Sequence, residues 1–216
     1  MYKIGVESDN KIIGRVDGIA VTILSTPSLK KYKNIPEYSK VEDNLLLDCF
    51  MLDDKAKLVD FFSIGGSSHI LITRRIKEEL EKLKLYNIQF IKSVVLYKDK
   101  ILTDYYLLHI YSKLYDLIDL DKTEFVYAYP APISEIVEEY GILNKAQLDK
   151  LYLDLFGGIA LLRPKTKYNF YDFDINAWDM FKIGKIDDGI YVSDKLREAL
   201  LNINAKGCWF AESNLF

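Results

Sequence analysis

Apolar residues recur in the same order in two parts of the chain that lie 120 positions apart. Residues 70–93 and 190–213 align without gaps, and most apolar positions of one part are also apolar in the other. Each part begins with a short β-branched run, continues with apolar residues at the spacing of a helix face, and ends in a second extended run. The pattern therefore predicts two similar strand–helix–strand units.

Local signals support the helix in each unit. Thr73 and Ser193 stand where the first strand ends, and a hydroxyl there can accept a hydrogen bond from the free backbone N–H groups of a helix start. We expect both residues to cap the helix that follows. The apolar positions at helical spacing are Ile76, Leu80 and Leu83 in the first unit and Leu196, Leu200 and Ile203 in the second.

The first 64 residues are predicted to form a small antiparallel meander followed by a short helix. Extended runs separated by turn signals lie near residues 2–6, 11–16 and 19–24. The helix is expected near residues 41–50. We predict that this N-terminal part, residues 1–64, packs on a larger domain, residues 65–216, to give one compact unit.

Between the two units the pattern predicts further elements. They are a hairpin formed by residues 94–97 and 102–110, a strand at residues 125–129, a helix at residues 134–140 and a helix at residues 144–156. Asn144 can cap the last of these helices. The predicted fold class is α+β, with a mixed, largely antiparallel sheet, helices packed on it and the two similar units.

Composition narrows the class of protein. The chain has 216 residues, of which 50% are hydrophobic and 28% charged, so disorder, collagen and coiled coil are excluded. Its two cysteines, Cys49 and Cys208, match no zinc or redox spacing, which fits a reducing compartment. The longest uncharged run, residues 18–29, is too short and too polar to span a bilayer. We therefore expect a cytoplasmic protein.

The net charge of −3 is concentrated in one segment. Residues 116–139 carry seven acidic side chains and one lysine, which gives a local charge of −6. The acidic residues are Asp116, Asp119, Asp121, Glu124, Glu135, Glu138 and Glu139. Such a segment is either a solvated face or an acidic docking surface for a basic partner.

A second unusual segment combines aromatic and acidic residues. Residues 168–181 contain six aromatic side chains and three aspartates within fourteen positions. Large, rigid aromatic side chains beside acids are typical of a protein-binding surface. The alternative interpretation is a loop that covers the hydrophobic core.

No pattern of residues indicates catalysis. Gly65-Gly66-Ser67-Ser68 lacks the lysine of a phosphate-binding loop, and the only histidines, His69 and His109, have no carboxylate or cysteine at a metal spacing. Residues 119–124 begin like a calcium loop but lack its glycine and its final glutamate. We expect both histidines to be buried or at an interface, and we predict a protein that is not an enzyme, with no catalytic residue, no cofactor and no metal site.

Several strings of residues, taken in order, resemble a known family. They are Asp104–Ile110, Leu117–Phe125, Leu161–Arg163, Gly189–Leu200 and Lys206–Phe210, and they resemble successive signatures of the immunity protein 11 family, which is linked to bacterial polymorphic toxin systems. The resemblance covers roughly residues 65–213. It implies a small cytoplasmic protein that binds a cognate toxin and blocks it. Separately, the net charge of −3 argues against nucleic acid as a partner, and the short, polar uncharged run argues against a membrane.

The acidic and aromatic segments are the candidate contact surface for such a toxin. Acids would steer a basic toxin, for instance a nuclease, and aromatic side chains would hold it. The candidate residues are Asp116, Asp119, Asp121, Glu124, Tyr168, Phe170, Tyr171, Asp172, Phe173, Asp174 and Trp178. The sequence sets neither the oligomeric state nor the chemistry of the toxin.

Two other classes of function remain as alternatives. One is a small-molecule or nucleotide-handling enzyme with a cleft between the two repeated units. A deep pocket lined by His109 and by Asp172 and Asp174 would favour that enzyme, whereas a packed seam would remove it. The other is a scaffold or regulatory module of a secretion locus, which would have a stable partner that is not toxic.

Overall fold

A computed structural model describes residues 1–13, 20–64, 69–129, 136–155 and 161–216, without the side chains of Asn10 and Leu161. Thirteen strands and five helices lie in these ranges. The helices are α1 Asn10–Ile13, α2 Pro27–Lys33, α3 Arg74–Leu80, α4 Lys145–Leu155 and α5 Asp194–Asn202. The strands are β1 Tyr2–Val6, β2 Val21–Ile23, β3 Leu46–Leu52, β4 Phe61–Ser63, β5 Ile70–Thr73, β6 Ile88–Tyr97, β7 Lys100–Ile110, β8 Glu124–Ala128, β9 Ile136–Ile142, β10 Leu161–Pro164, β11 Met180–Gly184, β12 Asp187–Val192 and β13 Cys208–Glu212.

The described strands form three sheets. The largest has the order β2-β3-β6-β7-β5-β4, and only its β3–β6 pair is parallel. The second has the order β11-β12-β1-β13, the third has the order β10-β8-β9, and both are antiparallel. The predicted α+β class, with a mixed and largely antiparallel sheet, is confirmed.

The two predicted strand–helix–strand units are β5–α3–β6 and β12–α5–β13. The apolar faces of α3 and α5 lie in one shared core, to which Ile76, Leu80, Leu196 and Leu200 all contribute fully buried side chains. A 3.6-residue period places these side chains on one face of each helix, and burial of that face supplies most of a short helix's stability. The seam between the two units is therefore packed with apolar side chains.

A pair of aspartates links the two units reciprocally. Asp60, just before β4, accepts a hydrogen bond from the backbone N–H of Lys206 at 2.7 Å, and Lys206 follows the helix of the second unit. Asp179, just before β11, accepts one from the N–H of Lys84 at 2.9 Å, and Lys84 follows the helix of the first. The repeat therefore extends to the hairpins β4–β5 and β11–β12, whose first strands, β4 and β11, lie outside the part found by aligning the sequence.

Only one of the two predicted helix caps is made. The Ser193 hydroxyl accepts a hydrogen bond from the N–H of Leu196 at 3.1 Å, as expected. Thr73 occupies the cap position of α3, but its side chain makes no capping bond. Its hydroxyl donates to Asp60 at 2.9 Å, as the Ser193 hydroxyl donates to Asp179 at 2.7 Å, so the two units share this side-chain bond and differ in the capping bond.

Three predicted elements in other parts of the chain are wrong. The N-terminal meander does not form: β1 pairs with β12 and β13, β2 pairs with β3, and residues 10–13 are helical, while residues 14–19 lie outside the described part. Residues 46–52 form a strand instead of the helix expected near residues 41–50. Residues 136–142 form a strand instead of the helix at 134–140. A short apolar run is compatible with a helix and with a strand, and only pairing with a neighbouring strand decides between the two.

The hairpin and the last predicted helix are confirmed. Strands β6 and β7 pair through Tyr97 and Lys100, and Lys98 turns the chain with a φ of 55°. Asn144 accepts a hydrogen bond from the N–H of Gln147, and Gln147 accepts one in return from the N–H of Asn144, both at 2.9 Å. This capping box fixes the start of α4.

The division of the chain at residue 64 stays a prediction. Strands β4 and β5 pair across it, with Ser63 opposite Ile70.

Among the described helices, none is long and apolar enough to cross a membrane.

Candidate partner-binding site

The acidic and the aromatic segments, which lie about 50 positions apart in sequence, are neighbours in the structure. Ile118 and Phe170 form an isolated antiparallel bridge. The N–H of Tyr171 donates to the carbonyl of Leu117 at 2.8 Å, and the N–H of Asp119 donates to the carbonyl of Asn169 at 2.8 Å. The two candidate segments thus form one continuous surface.

Side chains fix the two segments to each other. The Thr123 hydroxyl accepts a hydrogen bond from the N–H of Asn169 at 3.2 Å, and the Asn169 amide donates to the Lys122 carbonyl at 2.7 Å. The Tyr171 hydroxyl lies 3.4 Å from a carboxylate oxygen of Asp121 and donates to it. An arrangement held by hydrogen bonds on both sides is ordered before a partner arrives, which lowers the entropic cost of binding.

Most aromatic side chains of residues 168–181 belong to the core. Tyr168 is buried, and Phe170, Phe173 and Trp178 are half-buried against the same apolar cluster. Phe173 and Trp178 both contact Tyr86 edge to face, with ring centroids 4.9 and 5.0 Å apart. The segment therefore covers the core, and Tyr171, which is 47% exposed, is its one aromatic side chain directed mainly to solvent.

Lysines within and outside the acidic segment neutralise much of its charge. Asp119 is buried and lies 2.8 Å from the ammonium of Lys122, which lowers the pKa of this carboxyl. Lys145 at the start of α4 lies 2.9 Å from Asp116. Lys165 lies 3.9 Å from Glu124 and 2.7 Å from Glu139.

Three exposed aspartates keep their charge available. Asp121, Asp172 and Asp174 make no ion pair with any residue that the structure describes. Asp172 has a φ of 46°, which places it at the tip of a tight turn next to Tyr171. The exposed candidates are Asp116, Asp121, Glu124, Tyr171, Asp172 and Asp174, which we call the acidic–aromatic surface.

The two histidines meet in a narrow cleft elsewhere in the molecule. The ring centroids of His69 and His109 are 6.2 Å apart, and Nε2 of His109 lies 3.0 Å from the Ser39 carbonyl, to which it donates. Glu37 and Lys182 also line the cleft. Asp172 and Asp174 do not line this cleft.

Burial of the two histidines predicts a loss of stability on mild acidification. Burial lowers the pKa of His69 to about 4, with help from the charges of His109 and Lys182, and burial also lowers the pKa of His109. Both rings are then protonated more readily in the unfolded chain, whose histidine pKa is about 6.5. The free energy of unfolding should therefore fall by roughly 2–3 kcal/mol as the pH drops from above 6.5 towards 4.

Urea unfolding at about pH 7.5 and about pH 4.5 measures this loss. A double variant, His69→Gln with His109→Gln, should show a much smaller difference between the two pH values. If the double variant loses as much stability on acidification as the unaltered chain, the histidines are not its cause.

Comparison with known families gives an independent result. The model of the immunity protein family (Imm11) matches residues 3–214, which is nearly the whole chain. The match thus includes residues before 65, where the resemblance seen in the sequence begins. Comparison with curated proteins found no match.

Proposed function

The chain belongs to the immunity protein family (Imm11), and we propose that it binds one cognate protein toxin in the bacterial cytoplasm and neutralises it by protein–protein contact. No chemical step is required of the chain in this proposal. Neutralisation follows when the bound protein covers the active site or the target-binding face of the toxin.

The observation that carries the proposal is the acidic–aromatic surface. It joins one exposed aromatic side chain, Tyr171, to three carboxylates that have no counter-ion in the described part of the chain. Tyrosine is among the residues that contribute most to binding energy at interfaces, and unpaired charges increase the rate of encounter with an oppositely charged partner. These features favour a partner with a basic surface.

The surface also has a rigid support. Phe170 and Phe173, on either side of Tyr171 and Asp172, are packed in the core, with ring centroids 5.6 Å apart. The turn that presents Tyr171 is therefore anchored on both sides. A nucleic acid is a poor partner for this surface, because its phosphates would be repelled by the same carboxylates that attract a basic protein.

Co-expression tests the proposal. The reading frame beside this one is expected to be lethal to a bacterial host when expressed alone and harmless when this chain is expressed with it. An unrelated protein expressed at the same level serves as the control. If the neighbour is harmless alone, or equally lethal with and without this chain, the proposal fails; a stable but non-toxic partner would instead indicate a scaffold of a secretion locus.

A further inference from the structure

Strand β9 has an open edge. It is the last strand of the sheet β10-β8-β9 and pairs with β8 alone among the strands that the structure describes. Every residue of β9 is exposed or half-buried, and Ile136, Val137 and Ile142 are 42%, 52% and 58% exposed. In the described part of the chain, Tyr140 alone of β9 packs on an apolar core cluster, so most of the strand is open to solvent.

The outer edge of β9 offers backbone hydrogen-bonding groups. In an antiparallel strand the N–H and C=O groups of alternate residues point to opposite sides, so about half of those in β9 point away from β8. No backbone group of another described residue bonds to them. The strand also lacks the lysine or proline that commonly protects an open edge, although its pairing with β8 is interrupted by two register shifts.

Charge distinguishes between the possible occupants of this edge. β9 carries Glu138 and Glu139 and no basic residue. The Glu138 carboxylate accepts a hydrogen bond from the Tyr140 hydroxyl at 2.8 Å and makes no ion pair with a described residue, whereas Glu139 pairs with Lys165. Two copies of β9 paired about a central two-fold axis would place these glutamates opposite one another, which is unfavourable. A strand that carries lysine or arginine fits better.

We propose that β9 accepts an extended, basic segment of the partner toxin as an added antiparallel or parallel strand, so that the three-stranded sheet becomes four-stranded. This inference rests on the proposed function. It also extends the acidic–aromatic surface, because Glu124 of that surface pairs directly with Ile142 at the end of β9. One toxin can therefore contact both the surface and the strand.

Hydrogen exchange tests the added strand. The amides of residues 136–142 are compared in the chain alone and in its complex with the purified product of the neighbouring reading frame. Exchange of the outward-pointing amides is expected to slow by about tenfold or more in the complex, because added backbone hydrogen bonds must open before exchange. The edge strand β13, the last strand of the sheet β11-β12-β1-β13, serves as the internal control and should not change.

A matched pair of variants tests the strand by affinity. Val137→Lys places a cation at the edge and should weaken the complex by about tenfold or more, because it meets the basic segment. Ile101→Lys changes an aliphatic side chain that is 67% exposed on β7 and should leave the affinity unchanged. Circular dichroism confirms that both variants are folded.

The outcomes separate this inference from the proposed function. A complex that neutralises the toxin but leaves the β9 amides unprotected and tolerates Val137→Lys overturns the added strand and leaves the proposed function standing. If the β9 amides of the chain alone become more protected as its concentration rises, and a dimer mass appears with them, a second copy occupies the edge. That result also overturns the added toxin strand. Absence of any complex or neutralisation overturns both.

Discussion

Replacing Asp60 by alanine is expected to lower the free energy of unfolding by about 2–4 kcal/mol. The Asp60 carboxylate is 5% exposed and accepts hydrogen bonds from the Thr73 hydroxyl at 2.9 Å, from Nε of Arg75 at 2.6 Å and from the N–H of Lys206 at 2.7 Å. Alanine would leave the Lys206 amide without its partner, whereas the N–H groups of residue 60 and Phe61 would still donate to the Lys206 carbonyl. The loss is below that of a fully buried ion pair because the Arg75 side chain is half exposed and can be hydrated.

The control is another aspartate–arginine pair, whose arginine lies on the same helix, α3. Asp104 and Arg74 lie 2.5 Å apart with both side chains exposed, so Asp104→Ala should cost less than about 1 kcal/mol. Denaturant unfolding of both variants compares a buried acceptor with a surface ion pair. Equal losses for the two variants would contradict the role given to Asp60.

The Asp60 contribution also has a defined pH dependence. Burial opposes ionisation of this carboxyl, but the hydrogen bonds from Arg75, Lys206 and Thr73 outweigh it, so its pKa lies below the ordinary aspartate value. Its stabilising effect is therefore complete above the unfolded-state pKa of about 4 and is lost as the pH falls through the lower folded-state value. The histidine effect acts at higher pH, so the two can be measured separately.

A triple variant of the acidic–aromatic surface, Asp121→Lys with Tyr171→Ala and Asp172→Lys, is expected to weaken binding to the toxin by about 100-fold or more. The tyrosine supplies contact area, so its loss should mainly increase the dissociation rate. The two charge reversals should mainly slow association, and this part of the effect should diminish as salt is added. Titration of the toxin's activity with increasing concentrations of the variant measures the shift.

A second triple variant provides the control for charge and side-chain loss. Asp54→Lys with Asp99→Lys and Tyr38→Ala makes the same changes at exposed positions outside the surface. It should neutralise the toxin as well as the unaltered chain does. If both triple variants lose the same affinity, net charge and not this surface determines binding.

The parts of the fold that the sequence predicts are those fixed by local physics. The helices α3 and α5 follow from apolar spacing, and the Ser193 and Asn144 caps follow from side chains that bond within three residues of themselves. The sequence pattern predicts helices where β3 and β9 lie, because a short apolar run acquires its structure from the strand beside it. The position of β1 between β12 and β13 depends on residues about 200 positions away.

The candidate site is likewise predicted only in part by the sequence. The composition of residues 116–124 and 168–174 marks both segments, but their contact through Leu117, Ile118 and Tyr171 joins residues about 50 positions apart. Asp116 and Glu124 are neutralised by Lys145 and Lys165, respectively. These lysines lie in other elements, so a count of charge within the segment does not include them. Among the described residues, a segment that counts as −6 therefore leaves Asp121 and Glu138 without an ion pair, and Asp121 lies next to the separate aspartates 172 and 174.

The unaltered chain in the same activity titration tests the central claim most directly. Purified product of the neighbouring reading frame is held at a fixed concentration, and its toxic activity is measured as this chain is added. If the chain neutralises the toxin by contact, toxic activity should fall in proportion to the amount of chain added and reach zero at a fixed molar ratio of chain to toxin. Two results would contradict the account. If toxic activity stays undiminished at every ratio of chain to toxin, the chain does not inhibit the toxin. If a small fraction of an equivalent of the chain inactivates all of the toxin, the chain acts as an enzyme.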